Sequence, residues 1–167
     1  MRIHETVEHD ASPQQVFEMI CSPDYQELKC TRSGALEHEV AIEVEEDART
    51  IVTRRRLPTD AFPDFVQKFV GDSVDVIETQ VWGLTADEDG GHSASLKVEI
   101  PRTPVTMSGS VYLTPAGEGT EHTVEGELKA SVPFLGAKIE KAIAPVIASS
   151  LRLEGRLSRE WIEDASA

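Results

Sequence analysis

The sequence predicts an α+β fold: a curved antiparallel sheet of about seven strands, two short helices after the first strand, and one long helix closing the chain. Three observations predict it. Apolar and polar residues alternate in several stretches of strand length, the period of a half-buried strand. The connections between these stretches are short and built from turn formers, as in DEDGG (87–91), PRTP (101–104) and PAGEG (115–119), so successive strands run antiparallel. From Leu135 onward the period lengthens to that of an amphipathic helix.

The elements follow in order. Residues 2–9, RIHETVEH, read as a first strand with Ile3 and Val7 on one side. In ASPQQVFEMI, Ser12 and Gln15 fit a capping box and Pro13 falls at the first helical position. Val16, Phe17 and Ile20 then share a face, and Ser22 with Pro23 opens a second short helix, so two helices fill roughly residues 13–30. After Gly34, Leu36, His38, Val40, Ile42 and Val44 alternate with Glu37, Glu39, Glu43 and Glu45, giving a strand with one dry and one acidic face. In the next strand, TIVTRRRL (50–57), Ile51, Thr53, Arg55 and Leu57 point one way and Val52, Arg54 and Arg56 the other. The basic run lies beside the acid-rich strand, and opposite charges across neighbouring strands explain it; a ligand carboxylate bound by one of these arginines is the alternative.

A short helix opened by Pro63 and stopped by Gly71 interrupts the strands, and Phe62, Phe65 and Phe69 put three of the five phenylalanines there. Four more strands read at 74–82, 94–100, 105–113 and 121–131. On the first of these, Glu78 and Gln80 share a face with Val74, Val76 and Trp82. Either a polar group there orients a guest, or a bulge turns the strand outward. In the closing helix, Leu135, Ile139, Ala142, Ile143, Val146, Ser150, Leu153, Leu157 and Trp161 fall in one sector, widened by Ile147 and Leu151. Lys138, Lys141, Arg152, Arg156 and Arg159 gather opposite. Pro145 is expected to kink this helix and Gly155 to loosen it.

That helix must cover the dry face of the sheet, yet both partners are lean. The inward strand positions are mostly Val, Leu, Ile, Ala and Gly, and aromatics make up 5% of the chain. Interiors are normally close-packed, so either the core packs shut with no pocket or a gap of ligand size between sheet and helix marks a ligand site. Its expected walls are Val40 and Ile42 on the second strand and Arg55 on the third. The short helix offers Phe65 and Phe69, and the later strands Trp82, Leu96, Val98, Met107, Val124 and Leu128. Ile139, Ile143 and Val146 come from the closing helix. Gly126 lies on the same inner face, where a tryptophan is expected to fill the gap.

The totals exclude several classes. The net charge of −14, from 30 acidic and 16 basic residues, opposes binding to nucleic-acid backbones and anionic membranes. Cys21 and Cys30 form no CxxC pair and sit away from the histidines, so neither a metal site nor a cofactor is expected, and the thiols are expected to be reduced. The start, MRIHETVEHD, has no signal-peptide core, and no apolar run approaches the roughly 18 residues of a membrane span. The expectation is a cytoplasmic protein without stable membrane insertion, with residues 1–167 as one domain.

The order of strand, two helices, six strands and long helix, with the entry ASPQQVFEMICSPDY, resembles the START-related helix-grip superfamily (SRPBCC), which includes birch pollen allergen, lipid-transfer START domains and polyketide cyclases. More narrowly, LPTDAFPDFVQKFVGDSVDVIETQVW and PVTMSGSVYLTPAGEGTEHTVEGELKASVPFLGAKIEK resemble one uncharacterised family of high-GC Gram-positive bacteria, over residues 1–163. The resemblance implies a cavity between sheet and last helix, opening near the small helices and strand loops, that takes sterols, phospholipids, polyketides or hormones. It implies no catalytic residue, because the superfamily shares no catalytic motif. A lipocalin-like barrel fails on order, since it inserts no helices between its first two strands.

The residues themselves offer little chemistry. His38 and His122 share parity with dry-face positions and are candidates for a general base or for a hydrogen-bonded histidine. Asp60 and Asp64 fit capping of the short helix better than paired-acid catalysis. The expected function is binding, transport or sensing of an apolar small molecule or lipid, rather than catalysis. The alternatives are a cyclase- or aromatase-type enzyme, which needs two ionisable groups converging inside, and a protein-binding module using the acidic outer sheet.

Overall fold

The computed structural model describes residues 1–167. The elements are β1 (Arg2–His9), α1 (Pro13–Ile20), α2 (Pro23–Arg32), β2 (Glu37–Val44), β3 (Ala48–Pro58), α3 (Asp64–Val70), β4 (Ser73–Gly83), β5 (His92–Glu99), β6 (Val105–Ala116), β7 (Gly119–Ala130) and α4 (Gly136–Ser166). The seven strands form one antiparallel sheet in the order β1-β7-β6-β5-β4-β3-β2. Strands β2 to β7 are a simple meander, and β1 joins it at β7. The sequence neighbours β1 and β2 therefore lie at opposite edges. Six inter-strand steps span about 29 Å when flat. Helices of 8 and 10 residues cover about 27 Å end to end, so α1 and α2 are the bridge that lets the sheet begin at one edge and resume at the other.

Helix α1 starts as its sequence dictates. The Gln15 amide N–H donates to Ser12 Oγ (3.3 Å), and the Ser12 amide N–H donates to Gln15 Oε1 (3.0 Å). Ser12→Ala is expected to lower the unfolding free energy by about 1 kcal/mol in urea titration; a loss below a few tenths would show that tertiary packing alone sets this helix start. Ser22 makes no such bond, and α2 relies on Pro23. Pro63 stands just outside α3 rather than at its first position, and Gly71, at φ +88°, ends that helix. Asp64 lies in the first turn of α3 without a capping bond. It favours the helix N-terminus by charge alone.

Two glycines let β6 and β7 approach closely. Gly109 and Gly126 face each other across β6 and β7. A Cβ on Gly109 would collide with the Glu125 carbonyl oxygen, and one on Gly126 would meet Met107 Cε at 2.8 Å and Ser108 O at 2.9 Å. Only two bare backbones can approach this closely. Tryptophan at Gly126 therefore strikes backbone and fills no gap, contrary to the sequence expectation.

Helix α4 runs without interruption through Pro145 and lies against β1 and β7. Gly155 lies within the continuous helix, and a Cβ there would collide with Val7 Cγ2, so the missing side chain lets the helix rest on β1. Ile139, Ile143 and Leu157 are buried, whereas Leu135 precedes the helix and is exposed. The far edge of the sheet is less well covered. On β2 only α2 lies nearby, and Leu36 and Val44 are each 63% exposed, so its expected dry face is at best half dry. The outer face there is ionic, as expected: Arg56 bridges Glu37 (3.1 Å) and Asp75 (3.0 Å). Strand β4 pairs with β3 without a break from Ser73 to Gly83. There is no bulge, and Glu78 and Gln80 point inward.

Candidate ligand cavity

The gap left between the sheet and α4 is a cavity of about 150 Å³. Its floor is Val74 and Val76 of β4, Leu96 and Val98 of β5, Val105, Met107 and Val111 of β6, and Val124 and Leu128 of β7. Its roof is Ile143, Val146, Ile147 and Leu151 of α4. Branched aliphatic side chains on both walls are too short to meet, which is the physical origin of the space. A volume of this size admits a guest of about benzene dimensions; drug-sized sites hold roughly 300–1,000 Å³.

Of the expected wall residues, Arg55, Leu96, Val98, Met107, Val124, Leu128, Ile143 and Val146 come together around this space. Six do not. Val40 and Ile42 sit on the edge strand, beyond the wall. Trp82 is fully buried at the end of the sheet that α1 plugs, edge-on to Phe17 (5.7 Å between ring centroids), which in turn stacks on His92 at 4.3 Å. Ile139 packs into the core one turn before the cavity begins. On α3, Phe65 lies under the Lys138 ammonium (4.3 Å) and Phe69 is 48% exposed; Phe62, in the loop before α3, lines the cavity instead.

One end of the cavity is charged. Glu78, on β4, accepts hydrogen bonds from Lys29 Nζ (2.9 Å), Arg55 Nη2 (3.0 Å) and Gln80 Nε2 (2.8 Å). Gln80 Oε1 accepts in turn from Trp82 Nε1 at 2.9 Å. Glu154, on α4, completes the group at longer range, 3.9 Å from Lys29 Nζ and 3.8 Å from Arg55 Nη1. Burial alone would push the Glu78 carboxyl up, but Lys29 and Arg55 overcome it and hold it at about 2. Burial dominates at Glu154 and, with the neighbouring Glu78 charge, raises its carboxyl above the ordinary range despite the two cations. Burial also opposes the charge on Lys29, yet Glu154 and Glu78 outweigh it and keep the ammonium protonated.

Lys29 and Glu154 escaped the sequence reading, although both left a signal. Lys29 follows Tyr25 and Gln26 at helical spacing on the buried face of α2. Glu154 continues Ile147 and Leu151 along the cavity face of α4, and an acid on an apolar stripe is the anomaly to notice. The two histidines differ. His38 is turned outward to Glu27. His122 faces the cavity from β7, with Nδ1 3.3 Å from His9 Nε2. Desolvation, helped by His9 and Lys29, lowers His122 to about 3, and desolvation with Arg159 lowers His9 to about 4.

The family described as "Protein of unknown function (DUF2505)" matches residues 4–162. Uncharacterized proteins of Mycobacterium tuberculosis and Mycobacterium bovis are 25% identical over 114 residues, 67% of this chain and 64% of theirs, so the chain spans just under two thirds of the relatives it matches. Among solved structures, TTHA0849 from Thermus thermophilus superposes with a TM-score of 0.68 at 15% identity over 100% of both chains. A STAR-related lipid transfer protein fragment from Xanthomonas axonopodis gives 0.56 at 13%, over 92% of this chain and 84% of that one. A norcoclaurine synthase point mutant from Thalictrum flavum, in complex with a transition-state analogue, gives 0.58 at 14%, over 100% and 96%. The fold is START-like. No helix is long and apolar enough to cross a membrane.

Proposed function

This chain belongs to the DUF2505 family, and from that premise we propose that it binds a small apolar molecule in the cavity beneath α4, as a carrier or sensor without chemistry of its own. The reading treats residues 1–167 as one START-like unit. The observation that carries it is the cavity itself: a space of about 150 Å³, walled mainly by aliphatic side chains, in an interior that would otherwise close. The lipid-transfer neighbour supports a hydrophobic guest in general, and the volume favours a small one over a whole two-chain lipid.

The enzyme alternative asks for two ionisable groups poised inside. His122 and Glu78 are both strongly shifted, but each shift has a structural cause. His122 is locked neutral against His9 and desolvated. The Glu78 carboxylate is taken up by three hydrogen-bond donors. Glu154 is the one cavity carboxyl without a hydrogen-bond donor, and it stands at the charged end rather than on the aliphatic wall.

The test is calorimetric titration with 1-hexanol on the wild type and on Val146→Trp. Val146 is half-buried on the roof, and its enlargement enters the cavity rather than the backbone. Saturable binding in the wild type, at least tenfold weaker in a variant that still folds, supports the reading. A packed core would instead make the variant lose about 1–3 kcal/mol of stability, with no hexanol binding by either protein. Native mass spectrometry of protein from its own host, looking for a co-purifying mass, then identifies the guest.

A further inference from the structure

The charged end of the cavity has more donors than it uses. The Lys29 ammonium carries three N–H donors and makes one hydrogen bond, to Glu78 at 2.9 Å. Arg55 donates from Nη2 to Glu78, but its Nε has no partner and its Nη1 reaches only Glu154 at 3.8 Å. Both side chains belong to almost fully buried residues, 2% exposed for Lys29 and 6% for Arg55. A buried donor without an acceptor costs free energy, so it calls for a partner.

Charge follows the same pattern. Two cations face one tightly bound carboxylate. The second carboxyl, Glu154, stands beyond hydrogen-bond distance of both, with 19% of its side chain still exposed, and burial pushes it toward the neutral form. The neutral groups nearby do not settle the balance: Gln26 Oε1 is a wall acceptor without a donor, and it bears no charge. The remainder of the wall is mainly aliphatic, with His122 its other titratable member. A guest lying along it meets hydrocarbon over its length and unspent cationic donors at one end.

We infer that the guest is a small amphipathic molecule whose head is an oxyanion, a carboxylate or a phosphate, seated on Lys29 and Arg55 beside Glu154, with its apolar body along Val98, Met107 and Ile147. This rests on the cavity-binding reading above and names the class of its ligand. Glu154 borders the seat and repels the head whenever it is ionised. It acts as a selectivity element, and a protonated Glu154 can donate a hydrogen bond to the bound anion. Charge-assisted hydrogen bonds of this kind are roughly twice as strong as neutral ones, so the head decides affinity in a space too small for a large apolar body.

The experiment titrates 1-hexanol, hexanoate and hexyl phosphate, three probes with one chain and different heads, into the wild type, Glu154→Gln and Arg55→Gln, each checked for folding by circular dichroism. Either anion is expected to bind the wild type at least tenfold tighter than hexanol, and the tighter of the two identifies the head. Glu154→Gln is expected to strengthen anion binding about fivefold and to raise the ratio of anion to hexanol affinity. If Arg55→Gln fails to fold, the Glu154→Gln comparison still decides. Hexanol binding that equals or exceeds that of both anions, in wild type and Glu154→Gln alike, overturns this inference and leaves the apolar-guest reading standing. Failure of all three probes overturns both.

Discussion

Glu78→Ala is expected to lower the unfolding free energy by about 3–5 kcal/mol, the usual penalty for removing one partner from a buried ion pair. Its carboxylate is the only acceptor within hydrogen-bond distance of both Lys29 Nζ and Arg55 Nη2. Without it, two buried cations face each other with Glu154 as sole counter-charge at nearly 4 Å. The Gln80 amide loses its acceptor as well, and with it the chain of bonds that reaches Trp82. Urea titration at neutral pH measures the effect. A loss below about 1 kcal/mol would mean that Glu154 can move in and take over, and that the tight Glu78 geometry holds little of the fold together.

The companion substitution separates stability from purpose. Replacing Lys29, Arg55, Glu78 and Glu154 together by methionine and leucine removes the desolvation penalty along with the charges, and such exchanges are often neutral or stabilising. The quadruple variant is expected to recover most of what Glu78→Ala loses. An ion cluster that apolar residues can replace without harm to the fold is poorly explained as a stabilising device. Its place, at one end of a mainly aliphatic cavity, fits the proposed role of seating a ligand's head instead.

The fold was legible because its signals are local. Alternation marked the seven strands, the Ser12–Gln15 box and Pro13 marked the first helix, and the short Gly- and Pro-rich turns forced antiparallel neighbours. The cavity was legible in outline, since lean residues on both walls predict a gap whatever the exact register. Its boundary was not. Val40 and Ile42 alternate as cleanly as Leu96 and Val98, but β2 is an edge strand and β5 a central one, and only the topology decides that. Trp82 lies on the inward face of β4 like Glu78, yet Phe17 of α1 closes the sheet over it. The charged end needs Lys29 from α2, Arg55 from β3, Glu78 from β4 and Glu154 from α4. No local pattern links four residues so far apart in the chain; the helical spacing of Lys29 and Glu154 was the one available hint.

Acidification from pH 7 to pH 5 is expected to remove on the order of 2–4 kcal/mol of stability, driven by the His9–His122 pair. In the unfolded chain both imidazoles titrate near 6.5. In the fold, desolvation holds His9 at about 4 and His122 at about 3, with Arg159 and Lys29 opposing the charge and Asp10 only partly offsetting this at His9. Below pH 6.5 the unfolded state therefore binds protons that the folded state refuses, and stability falls as pH falls. With both groups in that window the slope approaches two protons, about 2.7 kcal/mol per pH unit. His92, also lowered by desolvation, acts in the same direction. Glu154 acts in the opposite one: its raised carboxyl takes a proton in the folded state first and softens the slope. Glu78, lowered to about 2, adds its own loss as the pH falls from the ordinary carboxylate value toward 2, so the loss between pH 6 and 5 comes from the imidazoles. Urea titrations at pH 7, 6 and 5 on the wild type and on a His9→Gln, His122→Asn double variant measure this. The variant is expected to show a nearly flat profile, and a wild type that is itself flat across this interval would mean that both rings accept protons in the fold, with the cavity wall around His122 wet rather than dry.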